Sequence, residues 1–287
     1  MCMGHNFERV EMMFKGTLLA AGLLVVIAVP LQSLGAVRMY NDCVHGGSGP
    51  NTTIYSAYMG DGGGFEDPDG YLKDFDTGGT TSVWVEMTGA NISGSISAPP
   101  NAGTDAHDVF VASGGVNLGD WSTSYNSSSS DWFYQVTFTG LDPLKTYNFV
   151  TTANRHSSSY AGDGPSSRWT KFSIIGADTY TNASSAGVVE ISPDVVRFNT
   201  GYNTVNGYVA AWEGITAVDG SFSVLSQNVG LAGPGEPRKS YGMEGFMLEE
   251  SDAQPTGAAI PEPTTLIIWS LLGALGITIG WWRRGKR

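Results

Sequence analysis

Acidic side chains gather in one glycine-rich stretch of the sequence, where their oxygens could bind a calcium ion. The acids between positions 66 and 76 are Glu66, Asp67, Asp69, Asp74 and Asp76. Calcium is commonly bound by several carboxylates on a flexible loop. An EF-hand does not fit, because aligning Gly70 with the glycine of that motif puts Phe65 in the first ligand position. The stretch fits either a solvated acidic loop or a calcium site of another geometry, with Asp67, Asp69 and Asp74 as candidate ligands.

The residue types that usually carry catalysis show no local signature. His45, His107 and His156 lack a metal-binding spacing such as H-E-x-x-H, and no serine lies in a G-x-S-x-G sequence. We therefore predict a protein that is not an enzyme and that needs no cofactor, calcium apart. A pair of glycosidase carboxylates is defined by its separation in space, so a hydrolase of extracellular polysaccharide stays open as the alternative.

Aromatic and basic residues in polar surroundings form the candidate ligand-binding site. Trp121, Tyr125 and Tyr160 lie in polar segments where a core residue is not expected. Exposed rings of this kind stack on sugar faces or pack against a partner surface. Arg155 and Arg168 bracket the loop that holds Tyr160, and each would bind a polar ligand or form a structural pair with a carboxylate.

Alternating apolar and polar residues predict that β-strands position these side chains. Residues 132–139, within DWFYQVTFTG, alternate with the period of a half-buried strand. Asp142 and Pro143 then predict a turn, after which Tyr147 and Phe149 resume the buried face. The two segments together read as a hairpin with a wide loop.

Many short strands separated by Gly, Asn and Asp predict an all-β fold for residues 37–250. Further strands are expected at 83–87, 91–96, 108–112, 169–175, 195–198, 208–212, 222–225 and 245–249. No helical period interrupts them, which favours an antiparallel β-sandwich of the jelly-roll kind. We expect Trp132, Trp169 and Trp212 to lie in its core.

Charge and cysteine content limit the partners of this body. The chain carries a net charge of −12, and four of its 15 Lys and Arg residues lie in the last five positions. The body is therefore strongly acidic, which excludes nucleic acid as a partner. Cys2 lies in a segment that we expect to be removed, so Cys43 is either an unpaired thiol or a bridge to another chain.

The first 36 residues are predicted to form a secretory signal helix and its cleavage site. Arg9 and Lys15 precede the apolar run 16–29, and the small residues Gly35 and Ala36 follow it. A helix of this length reaches only ~21 Å, against a hydrocarbon layer of ~30 Å. A cleaved signal peptide ending at Ala36 therefore fits better than an uncleaved anchor.

The C-terminal region is predicted to cross a membrane. Residues 264–282 carry no charge, and as a helix they would reach roughly 28 Å. Trp281 and Trp282 would lie at the membrane interface, and the basic tail 283–287 would stay cytoplasmic. The basic residues of that tail are Arg283, Arg284, Lys286 and Arg287. An uncleaved tail would make the protein a permanently anchored single-pass membrane protein.

This tail resembles the PEP-CTERM sorting signal of Gram-negative bacteria. Pro261, Glu262 and Pro263 match the tripeptide, and the apolar span and basic cluster follow in the same order. The resemblance implies that an exosortase recognises the tail in the inner membrane and cuts near the tripeptide. It also implies release to the cell surface or to an extracellular polysaccharide matrix. Residues 251–263 would then be a linker, in which both prolines disfavour helix and keep Glu262 extended.

Part of the body resembles the galactose-binding-like sandwich modules of secreted bacterial proteins. The segments that carry this resemblance are VTFTGLDPLKTYNFVTTANR, RWTKFSIIGAD and YGMEGFMLEE. The resemblance implies the fold and, by analogy alone, extracellular polysaccharide as a ligand. We therefore expect an adhesive, structural or glycan-binding role for the exported body.

Overall fold

A computed structural model of the protein describes residues 36–44, 48–57, 67–119, 121–124, 132–230, 233–236 and 239–252. The predicted signal helix, the PEP tripeptide, the predicted membrane helix and the basic tail all lie outside these ranges. Within the described ranges, no helix has the length and hydropathy needed to cross a membrane.

Strands dominate the described residues. They are β1 (Val37–Asp42), β2 (Asp69–Lys73), β3 (Thr80–Ala90), β4 (Ser93–Ile96), β5 (Trp121–Ser124), β6 (Phe133–Thr139), β7 (Lys145–Thr152), β8 (Trp169–Ile175), β9 (Thr179–Asn182), β10 (Val189–Ser192), β11 (Val195–Asn199), β12 (Ala210–Thr216), β13 (Phe222–Asn228) and β14 (Gly245–Asp252). In the described ranges, helical structure is limited to a π-helical turn, His107–Val111, a 3-10 turn, Ser158–Tyr160, and the one-turn helix α1, Asn203–Asn206.

Two antiparallel sheets pack face to face. The first sheet has the order β1-β14-β7-β12-β9, and the second has the order β10-β11-β8-β13-β6-β3-β2. A separate two-stranded sheet joins β4 and β5. Phe138 of the second sheet meets Phe149 and Phe246 of the first, with ring centroids 5.7 and 5.2 Å apart. The prediction of an all-β antiparallel sandwich is therefore confirmed.

The alternation in the sequence identifies which side chains enter the core. Tyr134, Val136 and Phe138 on β6 are fully buried, and the residues between them are only partly buried. Side chains of a strand point alternately to the two faces of a sheet, so one face of β6 packs against the first sheet. Trp132 and Trp212 lie in the core as predicted, with 2% and 0% of their surface exposed.

The predicted hairpin of residues 132–152 is wrong. β6 belongs to the second sheet and β7 to the first, so the connection at 140–144 carries the chain from one sheet to the other. Gly140 makes this crossing with φ of +73°, and a Cβ there would lie 2.4 Å from the carbonyl oxygen of Ser82. A hairpin and a crossing between sheets present the same alternation and the same turn residues, so the pattern could not separate them.

The strand predicted at 108–112 is also wrong, because this segment forms the π-helical turn. Its backbone is fixed by hydrogen bonds from Asp108 N to Thr104 O, 2.9 Å, and from Ala112 N to His107 O, 2.8 Å. Phe110 is fully buried in a small apolar cluster with Tyr40 and Leu118. A five-residue segment with one buried ring, Phe110, is equally consistent with a helical turn and with a strand. The sequence pattern therefore could not distinguish the two.

Cys43 is a free thiol that no surface reagent or second chain can reach in the folded state. It is fully buried in the main core, just after β1. Burial raises the pKa of the Cys43 thiol well above its usual value. Thiol exchange needs an accessible thiolate, so the bridge to another chain that the sequence left open does not fit this structure.

Candidate functional site

Three of the five candidate ligand-binding residues meet at one end of the sandwich. Arg155, Tyr160 and Arg168 all lie on the connection from β7 to β8, and Tyr241, just before β14, joins them. We refer to these four residues as the Arg–Tyr cluster. It gathers two cationic and two aromatic side chains in a protein that has few bases.

The four side chains form two cation–π pairs that are joined by their rings. The Arg168 guanidinium lies 4.5 Å from the centroid of Tyr160, and that of Arg155 lies 5.9 Å from the centroid of Tyr241. The two tyrosine rings are 6.4 Å apart and are inclined by 38°. All three separations are within the range of favourable cation–π and aromatic contacts. The four side chains therefore form one contiguous cluster of rings and guanidinium groups, in which Tyr241 is buried with 7% of its surface exposed.

The loop that carries Tyr160 is anchored by its backbone. Asn199, at the end of β11, donates from Nδ2 to the carbonyl oxygens of Tyr160 and Gly162, at 2.8 and 2.7 Å. Gly201 allows a close approach, because a Cβ there would lie 2.5 Å from Cβ of Tyr160 and 2.8 Å from Cβ of Arg168. These contacts hold Tyr160 and Arg168 in place without using their side-chain donors.

Charge at the cluster is only partly neutralised. Arg168 has 12% of its side chain exposed and lies 4.0 Å from the carboxylate of Glu236, which is 34% exposed. Nε of Arg155 is buried and has no hydrogen-bond partner among the described residues. Burial raises the pKa of Tyr241, with the two arginines acting in the opposite direction, so its hydroxyl stays protonated at neutral pH. The guanidinium groups of the cluster can donate hydrogen bonds to an oxygen-rich ligand.

The remaining aromatic predictions meet different outcomes. Tyr160 is partly buried and packs against the main core, instead of standing free in polar surroundings. Trp169 is only partly buried, and its Nε1 donates to Gly162 O at 3.3 Å, so its assignment to the core is wrong. Trp121 begins β5 opposite Ile96, with its side chain outside the description, and Tyr125 lies outside the described residues.

The calcium candidates are spread along β2. Asp69 begins this strand and Asp74 follows it, which separates them by about 16 Å at the usual rise of a strand. Asp74 is occupied locally, since it accepts hydrogen bonds from Thr77 Oγ1 at 2.5 Å and from Asp76 N at 3.0 Å. Among the described residues, no three acidic, His or Cys side chains are placed to hold a metal ion. Asp67, Asp69 and Asp74 therefore do not form one site, and Glu66 lies outside the description.

A groove at the other end of the sandwich bears on the hydrolase alternative. It has a volume of about 300 Å³, and both Asp74 and Glu250 line it. A glycosidase needs one carboxyl that keeps its proton near neutral pH. The hydrogen bond from Thr77 instead lowers the pKa of Asp74, so this carboxylate stays ionised. Nothing about Asp74 suits it to the role of general acid.

Sequence reasoning missed Tyr241 and Glu236. Both lie far along the chain from Arg168, and they reach it only because the segment between β13 and β14 returns to the beginning of β8. Glu236 N donates to Ser167 O at 2.9 Å, and the Tyr241 carbonyl accepts from Thr170 Oγ1 at 2.7 Å. No local pattern around either residue signals this return.

Comparison with known proteins gives no relative of this chain: no family model matches it, and neither a curated protein nor a solved structure shows significant similarity to it.

Proposed function

We propose that this protein is exported and sorted through a PEP-CTERM signal to the cell surface or extracellular matrix, where its β-sandwich binds glycan through the Arg–Tyr cluster. One observation carries the sorting proposal, namely the order of a Pro-Glu-Pro tripeptide, an uncharged span and a basic end within 28 residues of sequence. An exosortase is the partner that this order implies.

The physical logic of the tail supports this proposal. A span of about 28 Å inserts in the bilayer, and the basic residues behind it resist translocation. The tripeptide then lies at the outer edge of the membrane, where its prolines keep the backbone extended and accessible to a protease. Insertion in the inner membrane comes first, and cleavage delivers the body outward.

The Arg–Tyr cluster supports glycan binding. Sugar rings present apolar C–H faces and hydroxyl-bearing edges, so they match the partly buried ring of Tyr160 beside the guanidinium donors. The strand order of the sandwich is compatible with a jelly roll of the galactose-binding-like kind, since the last strand β14 lies between β1 and β7. We extend that resemblance to this chain as part of the proposal, with polysaccharide as the ligand and no catalytic role.

The sorting step is tested by the mass of the mature protein. In a Gram-negative host that carries an exosortase, we expect surface-exposed protein to end near residues 261–263, because the enzyme cuts at the tripeptide. The double variant Pro261→Ala, Pro263→Ala is expected to keep its tail, since a more helical segment is a poorer protease substrate. Surface-exposed protein that retains Arg287 in the parent chain would refute sorting and favour the permanent anchor.

Glycan binding is tested by comparing the mature protein with two variants on an array of bacterial polysaccharides. Tyr160→Ala removes the ring beneath Arg168 and is expected to weaken binding at least about tenfold, the usual cost of losing a central aromatic contact. Tyr71→Ala is the matched control, because Tyr71 is a 49% exposed tyrosine on β2, four strands from β8 in the second sheet. Trp121→Ala tests whether β5 contributes to the same site. Equal binding by the parent and Tyr160→Ala would exclude the Arg–Tyr cluster as the glycan-binding site. Shortening of a bound polysaccharide would favour the hydrolase alternative.

A further inference from the structure

The described chain enters and leaves the sandwich at the same end. Asp252, the last residue of β14, pairs with Lys145, the first residue of β7, and the two side chains form a salt bridge. Val37, the first residue of β1, lies opposite Glu250 in the neighbouring strand. We call this the exit end, and it is formed by the turns 140–144, 176–178 and 217–221. The Arg–Tyr cluster lies at the opposite end, beyond the last residue of β7.

The exit end carries the most exposed apolar side chains of the described protein. Leu144 is 79% exposed and Val218 is 69% exposed, the two largest values among the large apolar residues described. Ile175, at the end of β8 on the same side, is 47% exposed. Single exposed apolar residues are ordinary on a protein surface. Here, three of them lie at the end from which the predicted membrane segment continues.

The turns that hold Leu144 and Val218 are fixed by hydrogen bonds. Leu144 N donates to Asp142 Oδ1 at 2.8 Å, and Val218 N donates to Asp178 Oδ2 at 2.6 Å. A further bond from Leu141 N to Gly220 O, 3.2 Å, joins the two turns. The two turns are therefore fixed and joined to one another, and both apolar side chains that they carry are largely exposed.

The linker keeps this end close to the bilayer. Only residues 253–263 separate Asp252 from the start of the uncharged span. Eleven residues reach at most about 36–40 Å even when fully extended, which limits how far the exit end can lie from an inserted span. A tether of this length gives an effective concentration in the millimolar range, which favours a weak contact of these three side chains with lipid.

We propose that, before the tail is cut, the exit end rests on the lipid surface through Leu144, Val218 and Ile175, with the Arg–Tyr cluster directed away from the membrane. This inference rests on the proposed insertion of residues 264–282. Apolar side chains that enter the interface region gain free energy by leaving water. The orientation leaves the glycan site open to the exterior while the protein is still tethered.

Charge predicts which lipid favours this contact. The aspartates that cap the turns, Asp142, Asp178 and Asp219, are exposed beside the apolar tips. Anionic lipid would repel them, so the contact is shallow and is favoured by zwitterionic lipid. Vesicles of phosphatidylcholine alone should therefore hold the exit end more closely than vesicles containing phosphatidylglycerol.

The test places a fluorescent label at each end of the full chain. Leu144→Cys and Val218→Cys are made in a Cys2→Ser background, produced without exosortase, labelled with nitrobenzoxadiazole and reconstituted with the body outside. Cys43 does not compete for the label, because it is fully buried. Val205→Cys is the matched control, since Val205 is 43% exposed and lies in α1 at the opposite end of the sandwich. The position of α1 is shown by its residue Thr204, whose Oγ1 donates to Arg155 O. Quenching by doxyl-labelled phosphatidylcholine is expected to be at least about twofold stronger at 144 and 218 than at 205.

Two outcomes separate this inference from the proposed function. Resistance to carbonate extraction reports insertion of the tail, and chain that is washed from the vesicles would overturn both proposals. Chain that resists extraction but shows equal quenching at 144, 218 and 205 would overturn the resting orientation alone. Weaker quenching in a 3:1 mixture of phosphatidylcholine and phosphatidylglycerol would support the expected repulsion from the aspartates, and stronger quenching there would overturn the shallow apolar contact.

Discussion

Phe138→Ala is expected to lower the free energy of unfolding by about 3–5 kcal/mol, the usual cost of removing a buried ring. Phe138 is fully buried, and it meets Phe149 and Phe246 across the sandwich at 5.7 and 5.2 Å. It also meets Phe222 of its own sheet at 4.9 Å. The substitution removes contacts between both sheets at once and leaves a cavity that surrounding rings cannot fill without shifting. Urea unfolding of the mature protein measures the loss as a lower midpoint at an unchanged m-value.

Leu144→Ala is the control for this experiment. It removes an apolar side chain that is 79% exposed, so its effect on the free energy of unfolding in solution should stay within about 0.5 kcal/mol. A loss from Phe138→Ala no larger than that from Leu144→Ala would show that the two sheets do not meet at this ring.

The sequence predicted the buried faces of the strands better than their partners. Burial imposes a period of two on β6, so the side chains that enter the core could be identified from Trp132 to Phe138. Sheet membership leaves no such period. Strands β6 and β7 follow one another with a turn between them, and the strand order together with the contact of Phe138 with Phe149 shows that they face each other in different sheets. The same limit explains why the assignment of Trp169 to the core is wrong. Its neighbours depend on how the loop after Tyr160 packs against the beginning of β8, and no local pattern predicts that packing.

The residues of the candidate site could be predicted from the sequence only where they lie on the same loop. Arg155, Tyr160 and Arg168 lie on a single connection, where two of the few basic residues flank an aromatic residue in the sequence. Tyr241 joins them through a long-range return of the chain, and the calcium candidates are separated because an extended β2 lies between Asp69 and Asp74. Closeness in sequence therefore predicted closeness in space within a loop and failed across a strand.

Asn203→Asp is expected to lower the free energy of unfolding by about 4 kcal/mol at pH 7. The buried carboxyl group must either take up a proton or remain charged among carbonyl oxygens, and both cost free energy. Asn203 in α1 is fully buried. Its Nδ2 donates to Ala153 O at 3.0 Å, to Tyr208 O at 3.0 Å and to Thr152 Oγ1 at 3.1 Å, and its Oδ1 accepts from Tyr208 N at 2.8 Å. The substitution keeps the shape of the side chain but turns these donor contacts into contacts between oxygens. The loss of stability therefore reports the hydrogen bonding of Asn203 and not a change in packing volume.

The pH dependence of this loss has a defined sign. In the unfolded chain the introduced carboxyl titrates near ~3.9, whereas burial raises its folded-state pKa. The folded state then binds more protons between those two values, so the variant loses about 1.4 kcal/mol per pH unit as the pH rises from ~4 towards 7. Urea unfolding at pH 4, 5.5 and 7 should show the difference from the parent growing in that order. Asn117→Asp is the control, since Asn117 is exposed and its Oδ1 already accepts a hydrogen bond from Gly119 N at 3.1 Å. If Asn203→Asp loses no more unfolding free energy than Asn117→Asp at every pH, Asn203 is not enclosed among carbonyl oxygens.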